Sequence, residues 1–328
     1  MLIAQIIKTL FEIALMGAFG FSLIYFVITM FSLTISKFSN PFPPILSEDL
    51  YPKVTIQIPT YNESAALNCA EKCVHFNYPK NKLQIIIGDD SDKSDISKLI
   101  DEFIIKYPDV LVSRRGSNKG FKPGNLNAML NISTGDYILI LDSDFLPDND
   151  FLLKIVQPII KHPNLSGVQT GWKIINVQKN FSTILGGGIV NVVHSILLPF
   201  MHKFTNHSIL CGSGELVKKS DLIDLGGWTE GSLTEDVDYS LRLIAAGKRI
   251  EYLGQLKISC EAPYTAMDLF RQQMRWAYGV VCAFLNHNKK LLKSRLTKRR
   301  VKAATFLFSI GYLMIGLLLF TFFFGCLN

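Results

Sequence analysis

Charged residues are scarce in this chain. They make up 19% of its 328 residues, while hydrophobic residues make up 48% and mean hydropathy is +0.25. A globular domain carries roughly 25% charge, so this balance excludes a disordered chain. With 23 Gly, 13 Pro and 6 Cys, collagen and a disulfide-rich secreted scaffold are also excluded. Two long stretches, Ile13 to Ser36 and Ala303 to Asn328, contain no Asp, Glu, Lys or Arg. Each is long enough for the roughly 20 apolar residues of a membrane span. The first is too long for a signal peptide, has only Lys8 as an early basic residue, and is followed by no small-residue cleavage site. It reads as a retained anchor.

Acids are missing from the segment Lys289 to Lys302, which holds eight Lys and Arg. That run accounts for the net charge of +7, because the other 26 basic residues face 27 acids. A nucleic-acid-binding surface is therefore not expected. The run lies just before the last apolar stretch, where basic residues mark the cytoplasmic side and meet anionic lipid. The region between the two stretches then lies in the cytosol with its cysteines reduced. Cys69 and Cys73 sit four residues apart, but no second pair completes a zinc site.

The segment Asn40 to Pro44 reads as a stiff linker. Beyond it, strand-like runs at Val54–Ile58, Leu83–Ile87, Val110–Ser113 and Tyr137–Leu141 alternate with helix-like runs at Ala65–His75, Ser94–Tyr107 and Pro123–Asn131. This rhythm predicts an α/β fold with a mostly parallel sheet flanked by helices. The expected parts are an anchor (1–37), a nucleotide-binding half (38–180), an acceptor-side half with a basic juxtamembrane segment (181–300) and a C-terminal span (301–328). Phe181–Phe204 and Val280–Leu292 are candidates either for interfacial helices or for ordinary core packing.

Polar residues cluster where strands end: Thr60-Tyr61-Asn62-Glu63, Asp89-Asp90, and Asp142-Ser143-Asp144. In open α/β sheets, ligands bind at the carboxyl ends of strands. Asp142 and Asp144 flank a single residue, and paired carboxylates repel unless a cation lies between them, which suits Mg²⁺ or Mn²⁺. Lys122, between two glycines, can neutralise a phosphate. Thr234 reads as the cap of a helix whose first residues are Glu235 and Asp236. A helix N-terminus favours an ionised carboxylate, the form a general base needs. Gln272, Arg275 and Trp276 share one helix face. They offer a guanidinium fork for phosphate and an indole for stacking on a sugar ring. Each cluster alone has an ordinary reading as a turn, a dipole complement or a packing face.

Taken in order, the set resembles glycosyltransferase family 2, above all the membrane-integrated branch of cellulose, hyaluronan and glucomannan synthases. The motifs are Thr60-Tyr-Asn-Glu63, Asp89-Asp-Ser91, Lys122-Pro-Gly-Asn-Leu-Asn127, Asp142-Ser-Asp144, Cys211-Gly-Ser213, Thr234-Glu-Asp236 and Gln272-Gln-Met-Arg-Trp276, spread over Lys53 to Gly279. The resemblance implies a GT-A-like, Rossmann-type fold. It implies donor nucleotide binding by Thr60, Tyr61, Glu63, Asp89, Asp90, Lys122, Asp142, Gln272 and Arg275, and metal binding by Asp142 and Asp144. It further implies acceptor contacts by Cys211, Gly212, Ser213, Glu235 and Trp276, with Asp236 as the catalytic base. The implied reaction inverts the sugar of a nucleotide donor, UDP-linked by preference and GDP-linked as the alternative. The product is a β-linkage to a glycan or lipid-linked acceptor.

Processive relatives carry several spans after the Q-x-x-R-W motif, and here one follows. Two helices do not enclose a polymer. The sequence therefore leaves open a homo-oligomer or channel-forming partner, a single addition to a polyprenyl-phosphate or ceramide-like lipid, or a chain that is a fragment. A catalytically silent binding subunit is a further class, and its mark would be loss of the motifs.

Overall fold

The computed structural model describes residues 2–36 and 45–327; the linker expected at Asn40 to Pro44 lies outside them. In chain order, helix α1 (Leu2–Ser36) is followed by β1 (Val54–Thr60), α2 (Ala65–Val74), β2 (Leu83–Asp89), α3 (Ser94–Lys106), β3 (Val110–Arg114), α4 (Phe121–Ile132) and β4 (Tyr137–Ile140). Then come α5 (Phe151–Ile155), α6 (Gln157–Lys161), β5 (Leu165–Ile174), α7 (Phe181–Val192), α8 (Leu198–Thr205), β6 (Glu215–Lys218) and α9 (Lys219–Asp224). The chain closes with α10 (Glu235–Ala245), β7 (Arg249–Cys260), α11 (Ala266–Lys293) and α12 (Arg299–Leu327). The helices and strands expected between Val54 and Leu141 all form, with ends moved by a residue or two.

The strands make one seven-stranded sheet in the order β3-β2-β1-β4-β6-β5-β7. Its pairings are parallel except those of β6, which runs antiparallel to both β4 and β5. Alternate side chains of a strand face opposite sides of a sheet, and both sides here are covered. Ile85, Ile87 and Leu139 enter a core with α2, α3 and α5. Ile86, Ile138 and Ile140 enter a second core with α4, α9 and α10. Cys69 and Cys73 are buried in the first core as free thiols. Reversal of β6 redirects the chain around the strand ends. Ile140 at the carboxyl end of β4 pairs with Glu215 at the start of β6. The loop entering β6 thus arrives at the edge where β1, β2 and β4 end.

A third core is shared between the sheet domain and the apolar helices. Leu198 and Met201 of α8, Val237 and Leu241 of α10, Val280 of α11 and Ala304 of α12 are all buried in it. Gln5–Thr34 of α1 is long and apolar enough to cross a membrane. Phe181–Thr205, a 25-residue helical segment, also qualifies by length and composition. The final helix qualifies when Arg299–Tyr312 and Gly316–Cys326 are taken together, and these halves meet at 44°.

Between α7 and α8 the backbone widens to a π-helical turn, Val193–Leu197. Pro199 follows immediately and has no N–H to continue the α-helical ladder. Carbonyls freed by such a turn need donors. The Tyr252 hydroxyl donates to His194 O, and the Ser32 hydroxyl of α1 donates to Ile196 O at 2.8 Å. The first apolar helix is thereby tied to the sheet domain.

Candidate active site

Lys122, in the first turn of α4, sits at the centre of the strand-end crevice. Its ammonium lies 2.7 Å from Asp142 Oδ1 and 2.9 Å from Glu235 Oε1. It also donates to Gly212 O at 2.7 Å. Burial would lower its pKa, but the charges of Asp142 and Glu235 outweigh burial and hold the amine protonated. One lysine thus joins the end of β4, the N-terminus of α10 and the loop entering β6.

That loop, Cys211 to Gly214, is held at every residue. Cys211 N donates to Gln169 Oε1 at 2.7 Å, and Gly212 N to Glu215 Oε2 at 2.8 Å. Ser213 O accepts from Gln169 Nε2 and from Trp172 Nε1, each at 3.0 Å. The Ser213 hydroxyl accepts from Asp142 N at 2.9 Å, and Gly214 N donates to Ile140 O at 2.9 Å. Gly212 has φ +86°, a conformation that disfavours a side chain. A β-carbon there would lie 3.3 Å from Asp236 Oδ2 and 3.4 Å from Lys122 Nζ. The carboxylate of Asp236 and the ammonium of Lys122 therefore both face the Gly212 backbone.

Asp236 is half-buried in the first turn of α10. Burial, and then the charge of Glu235, push its carboxyl up to about 7, against the opposing pull of Lys122. Asp144 lies open at the crevice mouth, but the protein around it and the charge of Asp142 push its carboxyl up to about 7 as well. Among the described residues no group of three His, Cys, Asp or Glu side chains is placed to hold a metal by itself. Asp142 and Asp144 supply two hard oxygen donors with crowded negative charge. A divalent cation would complete its shell there with phosphate oxygens, as magnesium commonly does.

The strand-end motifs divide their work. Two consecutive acids at the end of β2 reach different partners. Asp89 is buried against Arg114 Nε (2.9 Å) and the Ser97 hydroxyl (2.8 Å). Burial would raise its pKa, yet these hydrogen bonds win and hold it below the usual range. Asp90 is buried too and accepts a forked pair from Arg115, whose other terminal nitrogen donates to Lys119 O at 2.7 Å. Glu63 accepts from the Ser143 hydroxyl, and Thr60 donates to Glu63 O at 3.0 Å. Tyr61 is 43% exposed and donates to Asp92 at 3.0 Å, so its ring stands at the rim of the crevice.

Helix α11 approaches from the other side. A β-carbon on Gly279 would come within 2.5 Å of the Thr234 side chain, so only glycine lets α11 lie this close to the start of α10. Eight residues later, His287 Nε2 meets Asp238 Oδ2 at 2.7 Å. The two helices run in the same direction. The turns before Gly279 therefore extend past the N-terminus of α10. Gln272, Arg275 and Trp276 precede Gly279 by seven, four and three residues, the spacing of one helix face. Arg275 is exposed and forms no ion pair among the described residues, while Gln272 and Trp276 are half-buried.

Lys122, Asp142, Glu235, Asp236 and the Cys211–Ser213 loop are thus brought together. Asp144 and Glu63 stand beside them, and Asp89 is turned instead toward α3. Arg115, Asp92 and Glu215 escaped the sequence reading. Arg114-Arg115 ends a strand at the ligand-binding edge, and Glu215 is the one charge between Cys211 and Val217. The first was a visible signal; the second shows only once β6 is placed in the sheet.

The profile of glycosyl transferase family group 2 matches residues 137–327. Glucomannan 4-beta-mannosyltransferase 9 of Arabidopsis thaliana is 28% identical over 243 residues, covering 71% of this chain and 45% of its own length. Beta-monoglucosyldiacylglycerol synthase of Trichormus variabilis is 29% identical over 254 residues, covering 76% and 53%. The chain spans about half the length of the curated relatives it matches. Among solved structures, the mannosyltransferase PcManGT from Pyrobaculum calidifontis, in complex with GDP-Man and Mn²⁺, superposes with a TM-score of 0.76 at 18% identity. That match covers 97% of this chain and 85% of the other. S. aureus TarS 1-349 superposes with a TM-score of 0.54 at 16% identity, covering 77% and 70%. These likenesses show a GT-A-like fold, and with the profile spanning more than half of its residues the chain belongs to glycosyl transferase family group 2.

Proposed function

We propose that this protein is an inverting glycosyltransferase. It moves a hexose from a nucleoside-diphosphate donor to an acceptor hydroxyl and forms a β-linkage. The observation that carries this reading is the meeting of Lys122, Asp142, Glu235 and Asp236 around Gly212 at the ligand-binding edge of the sheet. The presence of GDP-Man and Mn²⁺ in the PcManGT complex supports a nucleotide sugar and a divalent metal. GDP- and UDP-linked donors both fit the residues present.

In this reading Tyr61 and the Asp90–Arg115 pair border the nucleoside, and Lys122 and Arg275 face the diphosphate. Asp142 and Asp144 would hold Mg²⁺ or Mn²⁺, which when bound supplies charge stabilisation to the departing diphosphate. Asp236 takes the proton of the acceptor hydroxyl as the oxygen attacks the anomeric carbon. A base whose pKa lies near the working pH suits that task. The carboxylates of Glu235 and Asp142 keep Lys122 fixed so that it meets the leaving group already charged, without reorganising. Displacement is direct, so no protein nucleophile is required. The loop Cys211–Ser213 and Trp276 bound the acceptor side.

Single addition to a lipid acceptor is favoured by the third core, in which residues of α10 are buried together with residues of the apolar helices α8 and α12. Catalysis then takes place on the cytoplasmic side, beside the basic run Lys289 to Lys302, where anionic lipid gathers. The full motif set argues against a silent binding subunit. The deciding experiment presents radiolabelled UDP- and GDP-sugars to membranes containing the protein and sizes the product. One added sugar on lipid supports this reading, a ladder supports a polymerase, and no transfer from any donor refutes it.

A further inference from the structure

Glu215 is an acid that the proposed chemistry does not use. It begins β6 in the middle of the sheet, between Ile140 and Gln169, and is 1% exposed. Its Oε2 accepts from Gly212 N at 2.8 Å, while its Oε1 is buried with no hydrogen-bond partner. The ionisable groups around it are Asp236, Glu235 and Tyr239 from α10, Lys122 from α4 and the Cys211 thiol. The cation among them, Lys122, is already bound to Asp142, Glu235 and Gly212 O. A buried carboxylate with one hydrogen bond and no ion pair is very costly, whereas a buried neutral acid costs far less. The same surroundings, burial first and Asp236 second, push the Glu215 carboxyl well above the usual range.

We propose that Glu215 works as a neutral carboxylic acid and is a positioning residue for Asp236, acting through the Gly212 peptide. Gly212 is gripped at both ends, its N–H by Glu215 and its carbonyl by Lys122. Its α-carbon is the surface against which the Asp236 carboxylate rests. Glu215 thereby sets the distance between the proposed base and the acceptor loop. A neutral acid supplies the acceptor for the Gly212 N–H without adding a further negative charge beside Asp236. This inference rests on the proposed transferase reading for its kinetic consequence, though not for the protonation of Glu215.

Two substitutions and two readouts test it. Glu215→Gln keeps the neutral shape and the acceptor, and Glu215→Met keeps the size without the acceptor. Expected for Gln is a turnover within about threefold of wild type and an unmoved acid limb of the pH profile. Expected for Met is a fall in kcat of about tenfold or more with donor KM nearly unchanged. Equal loss in both variants would show that a charged Glu215 is needed, and full activity in Met would show that Gly212 needs no anchor; either overturns the proposal. If Met fails to fold, the Gln variant still tests the neutral acid, because loss of turnover or a moved acid limb in it overturns the proposal. Infrared difference spectra of wild type against Glu215→Gln at neutral pH give the second readout. A protonated-carboxyl band lost in the variant is expected, and its absence overturns the neutral acid even if no nucleotide sugar is ever transferred.

Discussion

Asp238, one turn into α10, lies 2.7 Å from His287 of α11. The same carboxylate accepts from Arg242 Nε at 2.9 Å and from the Thr229 hydroxyl at 2.7 Å. This junction fixes the helix that carries Thr234-Glu-Asp236 to the helix that carries Gln272 and Arg275. Burial would raise the Asp238 pKa, but the hydrogen bonds from His287 and Thr229 and the charge of Arg242 bring it below the usual range.

Asp238→Asn should therefore cost stability. Breaking a buried ion pair and leaving its partners costs about 3 kcal/mol. The folded-state pKa is depressed, so the contribution is fully present above the unfolded value near ~4 and disappears as pH falls through the folded value. Thermal unfolding in detergent should show a gap between wild type and variant at pH 7 that closes in strong acid. A gap that persists there would refute this origin.

Asp236→Asn should lower transfer about a thousandfold, the scale of general-base loss. Nucleotide affinity should change little, because Lys122 and the acids around it are untouched. Titration calorimetry with UDP and GDP beside a transfer assay separates the two. Normal turnover in this variant would remove Asp236 from the chemistry.

A base with a pKa of about 7 gives activity that rises as pH climbs through neutrality and is lost below it. The charge of Glu235 is part of what raises that value. Glu235→Gln should accordingly move the acid limb of kcat/KM toward lower pH. A limb shifted upward or left in place would contradict the electrostatic coupling.

Chelation of divalent cations should abolish donor binding, with Mn²⁺ or Mg²⁺ restoring it. Asp144→Asn should raise the metal concentration needed for half-restoration by about tenfold or more, since loss of an outer-shell partner alone costs about 10- to 100-fold. A donor that binds equally well in excess EDTA would show that Lys122 and Arg275 suffice for the diphosphate.

Much of the sheet domain was legible because its signals are local. The alternation from Val54 to Ile140 and the acids at strand ends follow from residue pattern and parallel topology alone. What escaped depends on distant pairing. Nothing in Asp89-Asp90 tells which acid reaches Arg114 and which reaches Arg115, since neighbours in a strand point to opposite faces. The role of Glu215 is invisible until β6 is seen to run antiparallel between β4 and β5. Asp238 reads as a dipole complement until His287, 49 residues away, is seen beside it.

The third core has a practical corollary for anyone seeking a water-soluble version of this protein. Ala304 of the last helix and Leu198 and Met201 of α8 pack in one cluster with Val237 and Leu241 beneath Asp236. Cutting the chain ahead of Arg299 would remove Val301 and Ala304 from that core and uncover the apolar residues of α8 and α11 that pack there, so the shortened chain should aggregate or bind detergent. The long apolar helices and the helix that carries Asp236 thus share one core, and neither can be removed without opening it.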